Sequence, residues 1–244
     1  MGKKTLLHQD DGLVSTSVLD KQLADLELEV IGRFLTSKGQ VLDVGCGHGR
    51  AGHYLGSEGF EVVGVDVDLD TLREARQLSG AHMEAAGFIL ADGRNLCFRD
   101  QSFDCVMSLA STLSEKHRIW MCRRDRVSLI REGVRVAKPG GLVIVNFVHR
   151  YWSLKGFVSF FRNYWMWISE KAAGKRSELG DYIEKIGRTP IRFHAFTIHE
   201  AKSLFPRKGV SLDVWKRGKG PFTDWFFIIA KKTVWCPSCE SAIN

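Results

Sequence analysis

An apolar run that ends in alternating glycines, Val41-Leu42-Asp43-Val44-Gly45-Cys46-Gly47-His48-Gly49, restricts this chain more than any other stretch. A short aliphatic run that breaks off in glycine is the pattern of a buried parallel strand turning into a helix. The alternation recurs. Glu61-Val62-Val63-Gly64-Val65-Asp66 reads as a second strand, followed by a helix with Leu72, Ala75 and Leu78. Gly87-Phe88-Ile89-Leu90-Ala91-Asp92 closes a third strand, Ser102-Phe103-Asp104-Cys105-Val106-Met107-Ser108 a fourth, and residues 142–148 form a fifth. Between the last two, Val127, Ile130, Val134 and Ala137 share a helical face over residues 124–137, and Pro139-Gly140-Gly141 is expected to stop that helix. Five strand-helix alternations in about 150 residues predict an α/β fold with a doubly wound, mostly parallel sheet covered on both faces.

Both ends extend this frame. Val18, Leu19, Leu23, Leu26, Leu28, Val30, Ile31 and Leu35 recur at helical spacing and predict a lead-in helix over residues 16–36. Downstream, Thr197-Ile198-His199-Glu200 opens a helix that Pro206 and Gly209 close. Residues 210–215 and 225–230 are strand-like and joined by a Gly-rich turn, which predicts an antiparallel hairpin at one edge and seven strands in all. With 244 residues a single large domain is expected. The division is a lead-in segment 1–36, a main domain 37–233 in which 150–195 is an acceptor-side insertion or lid, and a tail 234–244.

Hydrophobic residues at 44% and charged residues at 26% are those of a globular protein. The first residues show no apolar leader and no run has the length of a membrane span, so a cytoplasmic location is expected. The six cysteines have no framework spacing, and Cys236-Pro-Ser-Cys239 lacks the second pair of a zinc knuckle, so no metal site is expected. Charge is uneven, with 18 basic against 20 acidic residues through His149 and 17 against 8 after it. Such a basic part either is a solvated face or attracts tRNA, an anionic membrane surface or an acidic substrate.

The glycine loop by itself suits NAD, FAD or a plain tight turn. Asp66 stands 21 residues after Gly45, the interval at which this fold brings a carboxylate to ribose hydroxyls. Arg50 occupies the place where a dinucleotide fingerprint wants glycine or alanine, which speaks against a pyrophosphate. The run 41–49 resembles the first motif of class I S-adenosylmethionine-dependent methyltransferases, and Val63-Gly64-Val65-Asp66 their second. Ala91-Asp92-Gly93 is similar to the third, residues 102–108 to the fourth strand, and Arg135-Val136-Ala137-Lys138-Pro139-Gly140-Gly141 to the signature before the fifth. The resemblance implies a Rossmann-like sheet and S-adenosyl-L-methionine as cofactor. It also implies that Gly45, Cys46 and Gly47 support the methionine part, with Asp43 toward its amino group. Asp66 then binds the ribose, Val67 packs on adenine, Asp92 and Gly93 read its edge, and Ser108 and Leu109 lie beside the sulfonium. Asp66 and Asp92 also read as simple helix caps.

Methyl transfer is an in-line displacement that positioning and desolvation accelerate, with a base where the acceptor carries a proton. His149, directly after the fifth strand, is the candidate base; Tyr151, His194 and His199 are further ones, although His194 between aromatics reads as a packed histidine and His199 as part of a helix start. The expected acceptor is a small or lipophilic molecule. The alternative is tRNA of the wobble-uridine type, because Arg192-Phe193-His194-Ala195-Phe196 is similar to an aromatic-His element of those enzymes. An NAD-dependent oxidoreductase and a non-catalytic cofactor-binding module are the alternatives of other classes. Finally, Phe157, Phe160, Phe161, Tyr164 and Ile168 repeat at helical spacing, with Val158, Trp165 and Trp167 beside or opposite them. That segment is either a packed helix or a lid that covers the acceptor or rests on a membrane.

Overall fold

In the computed structural model, which describes residues 23–78, 86–109, 121–150, 154–175, 177–186, 189–216 and 225–233, the apolar runs form the middle of one sheet. Its strands are β1 (Gln40–Val44), β2 (Glu61–Asp66), β3 (Ala86–Leu90), β4 (Phe103–Ser108), β5 (Ala137–Val148), β8 (Val210–Lys216) and β9 (Trp225–Lys232). They lie in the order β3-β2-β1-β4-β5-β9-β8. The first five are parallel. β9 runs against both of its neighbours, so the expected hairpin forms the edge and β9 is its reversed strand. Among the described residues that makes seven strands, doubly wound around β1, as the alternation implies.

Successive side chains of a strand face opposite sides, and each face gathers its own core. Leu42, Val106, Val145 and Ile228 pack with Leu129, Ile130 and Val136 of α4 (Arg123–Val136). Val41, Met107, Ile144 and Phe227 pack on the other side with Val30 and Ile31 of α1 (Asp25–Phe34) and Ala51 and Leu55 of α2 (Arg50–Ser57). Because both faces of β1, β4 and β5 are covered, their sequences are continuously apolar rather than alternating. α1 is shorter than the lead-in helix expected for 16–36, of which residues 16–22 lie outside the described residues.

Two expectations are corrected. Helix α4 ends at Val136, and Pro139-Gly140-Gly141 is not a stop ahead of the strand but lies inside β5, which starts at Ala137. Phe103 pairs with Ala137 and Cys105 with Leu142, so the extra residues of β5 bulge out between them. Gly140 takes φ 80° there, and a Cβ on Gly141 would stand 2.9 Å from the carbonyl oxygens of Asp104 and Lys138. The second concerns 150–195, set apart above as an insertion or lid, in which the periodicity marks only a helical segment around residues 157–168. It holds α5 (Leu154–Ala172) and then a separate two-stranded hairpin of β6 (Asp181–Ile186) and β7 (Thr189–His194). The Tyr182 and Phe193 rings stack across that hairpin at 5.6 Å. α6 (Ile198–Lys202) starts as expected: Thr197 Oγ1 accepts the Glu200 N–H at 3.1 Å, in a capping box.

Candidate cofactor and acceptor site

Gly45, Asp66, Asp92, Ser108 and His149 all stand at or just past the C-terminal ends of the parallel strands β1 to β5, one edge of the sheet. Open α/β sheets bind ligands along that edge. Gly45, Gly47 and Gly49 have φ of 73°, 53° and 76°, a region that costs other residues strain. The Gly45 and Cys46 N–H groups both donate to the Val65 carbonyl, at 2.8 and 3.0 Å, and bind the loop to β2. A Cβ on Gly49 would stand 2.6 Å from the Phe88 ring.

Asp66 belongs to this loop rather than to a helix. Its Oδ2 accepts the Gly47 N–H at 2.9 Å and its Oδ1 the Asp68 N–H at 3.0 Å. The carboxylate at the start of α3 (Leu69–Leu78) is Asp68, whose Oδ1 accepts from Asp70 and Thr71 N–H at 3.0 and 3.3 Å. With one N–H on each oxygen, Asp66 keeps acceptor capacity for two ligand hydroxyls. Asp68 was absent from the sequence reading, because two carboxylates spaced by one residue look alike as caps.

Beneath the loop lies a buried charge cluster. Asp43 is 3% exposed, and burial pushes its carboxyl up from 3.8 to about 7, with the Arg50 charge pulling it back and Glu27 and Asp66 adding to the rise. Arg50 forks onto Glu27 at 3.0 and 3.1 Å, and Glu27 Oε2 also accepts the Ala24 N–H at 2.8 Å. This ties α1 to the first turn of α2. Neither Glu27 nor a role for Arg50 was foreseen, since no motif links residues 23 apart on different helices. Burial also pushes the Cys46 thiol up, so it stays protonated and apolar.

Toward β3, Val67 and Leu90 are exposed apolar side chains, and Leu90 pairs with Asp66 in the ladder. Leu90 was not singled out in the sequence. Asp92 grips Arg94 with both oxygens, at 3.0 Å to Nε and 2.6 Å to Nη2, and Arg94 reaches Asp125 at 3.1 Å. The Arg94 hydrogen bonds hold the Asp92 carboxyl below the usual range and leave it little acceptor capacity for a ligand. Gly93 packs on β1, where a Cβ would come within 2.5 Å of Val44 Cγ1. Ser108 is buried, and its Oγ has no hydrogen-bond partner among the described residues; Leu109 beside it is buried in the core. An orphaned hydroxyl at this edge fits a polar ligand atom.

On the acceptor side His149 is buried with its ring edge-on to Phe226 at 5.6 Å. Arg150 donates to the carbonyls of Ala195 (3.1 Å) and Leu179 (2.6 Å) and pairs with Glu200. His194 is 1% exposed, with Nδ1 2.7 Å from Asp181 Oδ1 and Nε2 2.9 Å from Glu200 Oε1. It is thus packed, but between carboxylates as well as aromatics, and it joins the hairpin to α6. His199 is exposed on α6. Tyr151, Cys236 and Cys239 lie outside the described residues.

Residues 41–141 match the family model of the methyltransferase domain. The chloroplastic tocopherol O-methyltransferase of Arabidopsis thaliana is 36% identical over 115 residues, 46% of this chain and 31% of that protein. The 2-methyl-6-phytyl-1,4-hydroquinone methyltransferase of Synechocystis is 33% identical over 106 residues, 43% of this chain and 30% of that protein. The matched part thus spans about a third of those relatives' length. Among solved structures, a methyltransferase from Methanosarcina mazei aligns with TM-score 0.66 at 23% identity, covering 84% of this chain and 98% of the other. A glycopeptide N-methyltransferase in complex with S-adenosylhomocysteine aligns with TM-score 0.60 at 18% identity, covering 84% and 87%. These structures share the fold.

Proposed function

We propose, for a chain whose residues 41–141 match the family model of the methyltransferase domain, that it transfers the methyl group of S-adenosyl-L-methionine to a small or lipophilic acceptor. The observation that supports this most is the convergence of three left-handed glycines, the loop-bound Asp66 carboxylate and the orphaned Ser108 hydroxyl on one sheet edge. Bound there, the cofactor supplies a methyl group on a positively charged sulfur, open to in-line attack. In this reading the Gly45-Cys46-Gly47 backbone and Asp43 hold the methionine part, and Asp66 takes the ribose hydroxyls. Val67 and Leu90 flank adenine, with Gly93 at its edge, while Asp92 is taken up by Arg94. Ser108 and Leu109 face the reacting centre, where their burial keeps water out. His149, its ring edge-on to Phe226, takes the acceptor's proton as a general base.

The acceptor class draws support from the relatives, whose names carry tocopherol and a phytyl hydroquinone, both lipophilic and both bearing a hydroxyl that a base can activate. Norajmaline N-methyltransferase of Rauvolfia serpentina adds a small-molecule amine. None of these three relatives is named for tRNA, although the 18S rRNA (guanine-N(7))-methyltransferase of Bos taurus, 29% identical over 132 residues, is named for another RNA. The test is to incubate the protein with methyl-labelled cofactor and an extract of its own cells, then count label in organic, RNA and protein fractions. Label in the organic fraction is expected. Label confined to RNA or protein refutes the acceptor class, and titrations of the protein in which S-adenosylhomocysteine gives no heat refute the cofactor site.

A further inference from the structure

An amphipathic helix on a globular protein ordinarily turns its apolar stripe inward. The C-terminal half of α5 does the reverse. Phe161, Tyr164 and Trp165 are 55%, 37% and 68% exposed, and with the half-buried Ile168 they fall within one arc of the helix, spaced at three and four residues. The opposite arc holds the half-buried Met166 and Trp167 together with Glu170, whose carboxylate forks onto Arg192 of β7 at 3.1 and 2.6 Å. That ion pair fixes which way the helix faces. The aromatic arc is therefore the outer surface of a held helix. α5 ends at an αL glycine, Gly174 with φ 70°, after which Lys175 N–H donates to the Glu170 carbonyl at 2.8 Å. Lys171 and Lys175, both exposed, stand at this end beside the arc.

We propose that this outer face of α5 docks on an anionic lipid surface. Trp and Tyr rings have an apolar body and a polar edge and settle at the headgroup level, and neighbouring lysines reach the phosphates. Charge selects the occupant. The chain after His149 has 17 basic against 8 acidic residues, and Glu170, the acidic residue of α5, is turned inward onto Arg192. A second copy of the chain would set Lys171 and Lys175 of one face against those of the other, whereas an anionic bilayer complements them. Among the described residues no helix is long and apolar enough to cross a membrane, so the contact is one of lying on the surface. The proposal rests on the methyltransferase reading only for its consequence: α5 starts five residues after His149, so docking brings the bilayer, and a lipophilic acceptor dissolved in it, to the acceptor side.

The experiment is co-sedimentation of the full chain, without cofactor, with phosphatidylcholine vesicles that do or do not contain about one-third phosphatidylglycerol. Sedimentation with the anionic vesicles, weakened by salt, is expected, and little with the neutral ones. The double variant Phe161→Ser/Trp165→Ser should lose about tenfold or more of that affinity, and Lys171→Gln/Lys175→Gln should lose its salt-sensitive part. Both variants change exposed groups, so the unfolding midpoint and the thermal shift produced by S-adenosylhomocysteine should hold. Should the double variant not fold, quenching of wild-type tryptophan fluorescence by brominated lipid, abolished in Trp165→Ser, provides the same reading. Absence of wild-type sedimentation, or aromatic variants that sediment like the wild type, overturns the proposal. So does a wild-type dimer that the double variant loses, which would assign the face to a second copy. Vesicle binding lost with the cofactor shift retained refers to docking alone, and the reverse to the cofactor site alone.

Discussion

Asp43→Asn is the substitution whose effect the structure predicts most sharply. Asp43 is buried at the end of β1, where its carboxyl is pushed up from 3.8 to about 7, burial being the main cause. Below 3.8 the folded and unfolded chains both hold the proton, so nothing is lost. Between 3.8 and about 7 the folded chain binds more protons than the unfolded one, and stability falls as pH rises. A shift of that size corresponds to about 4 kcal/mol, an upper limit, at roughly 1.4 kcal/mol per unit. Between pH 5 and pH 8 the wild type should therefore lose up to about 3 kcal/mol that Asp43→Asn does not lose. The variant carries its own cost for burying an amide, but that cost does not vary with pH and cancels in the comparison. Urea unfolding of both proteins at pH 5, 6, 7 and 8, with the variant's stability subtracted from the wild type's, measures the difference. A difference that stays flat would refute the reasoning, because it would mean that Asp43 ionises in the folded chain as freely as in the unfolded one. Under the proposed reading the same group makes cofactor binding pH-dependent. An ammonium beside Asp43 favours the carboxylate, so binding should release a proton below pH 7 and tighten as pH rises toward it, which titration in two buffers of different ionisation heat detects.

Three further outcomes are expected. Asp66→Ala should weaken S-adenosylhomocysteine by roughly 2 to 4 kcal/mol in isothermal titration, since it removes the proposed ribose acceptors and frees the Gly47 N–H. An unchanged dissociation constant in a folded variant would leave Asp66 a loop tether alone. Gly93→Ala should destabilise by roughly 1 to 3 kcal/mol in denaturant, because the added Cβ meets Val44 Cγ1 at 2.5 Å, and a neutral result would show that β1 yields at its tip. His149→Gln should lower turnover roughly 10²- to 10⁴-fold and remove the acid limb of the pH–rate profile while cofactor affinity holds; a parallel profile would exclude it as the base.

How much of this was legible in the sequence follows from what each element packs against. β1, β4 and the second half of β5 are buried on both faces, so they appear as largely apolar runs that need little context. β6 carries Asp181, Glu184 and Lys185 and pairs only with β7, so it lacks any such run. Pro139-Gly140-Gly141 misled because a proline and two glycines mark a helix stop and a bulged strand equally well, and Phe103 pairing with Ala137 decides between them. At the site, the glycine loop and Asp66 were legible because backbone geometry ties them to fixed sequence intervals. Glu27, Arg50 and Leu90 were not, because what matters about them is a neighbour brought close by the fold.

That division also separates the two halves of the site chemically. The methyltransferase-domain match covers residues 41–141 and stops within β5, ahead of His149. Beyond it the apolar core continues through Phe147, Phe196, Leu204 and Phe226, and ion pairs at its border join the elements as well: Arg126 meets Glu178 at 2.6 Å, Arg150 meets Glu200, and His194 bridges Asp181 and Glu200. The two ring nitrogens of His194 lie within hydrogen-bonding distance of one carboxylate each. Removing one member of such a network leaves the others buried without their partner, which ties β7, α6 and the end of β5 into one unit. A unit held by directional polar contacts keeps its internal geometry while the apolar side chains around it vary. Under the proposed reading, changes in α5 and the hairpin can alter the surroundings of His149 without touching the glycine loop.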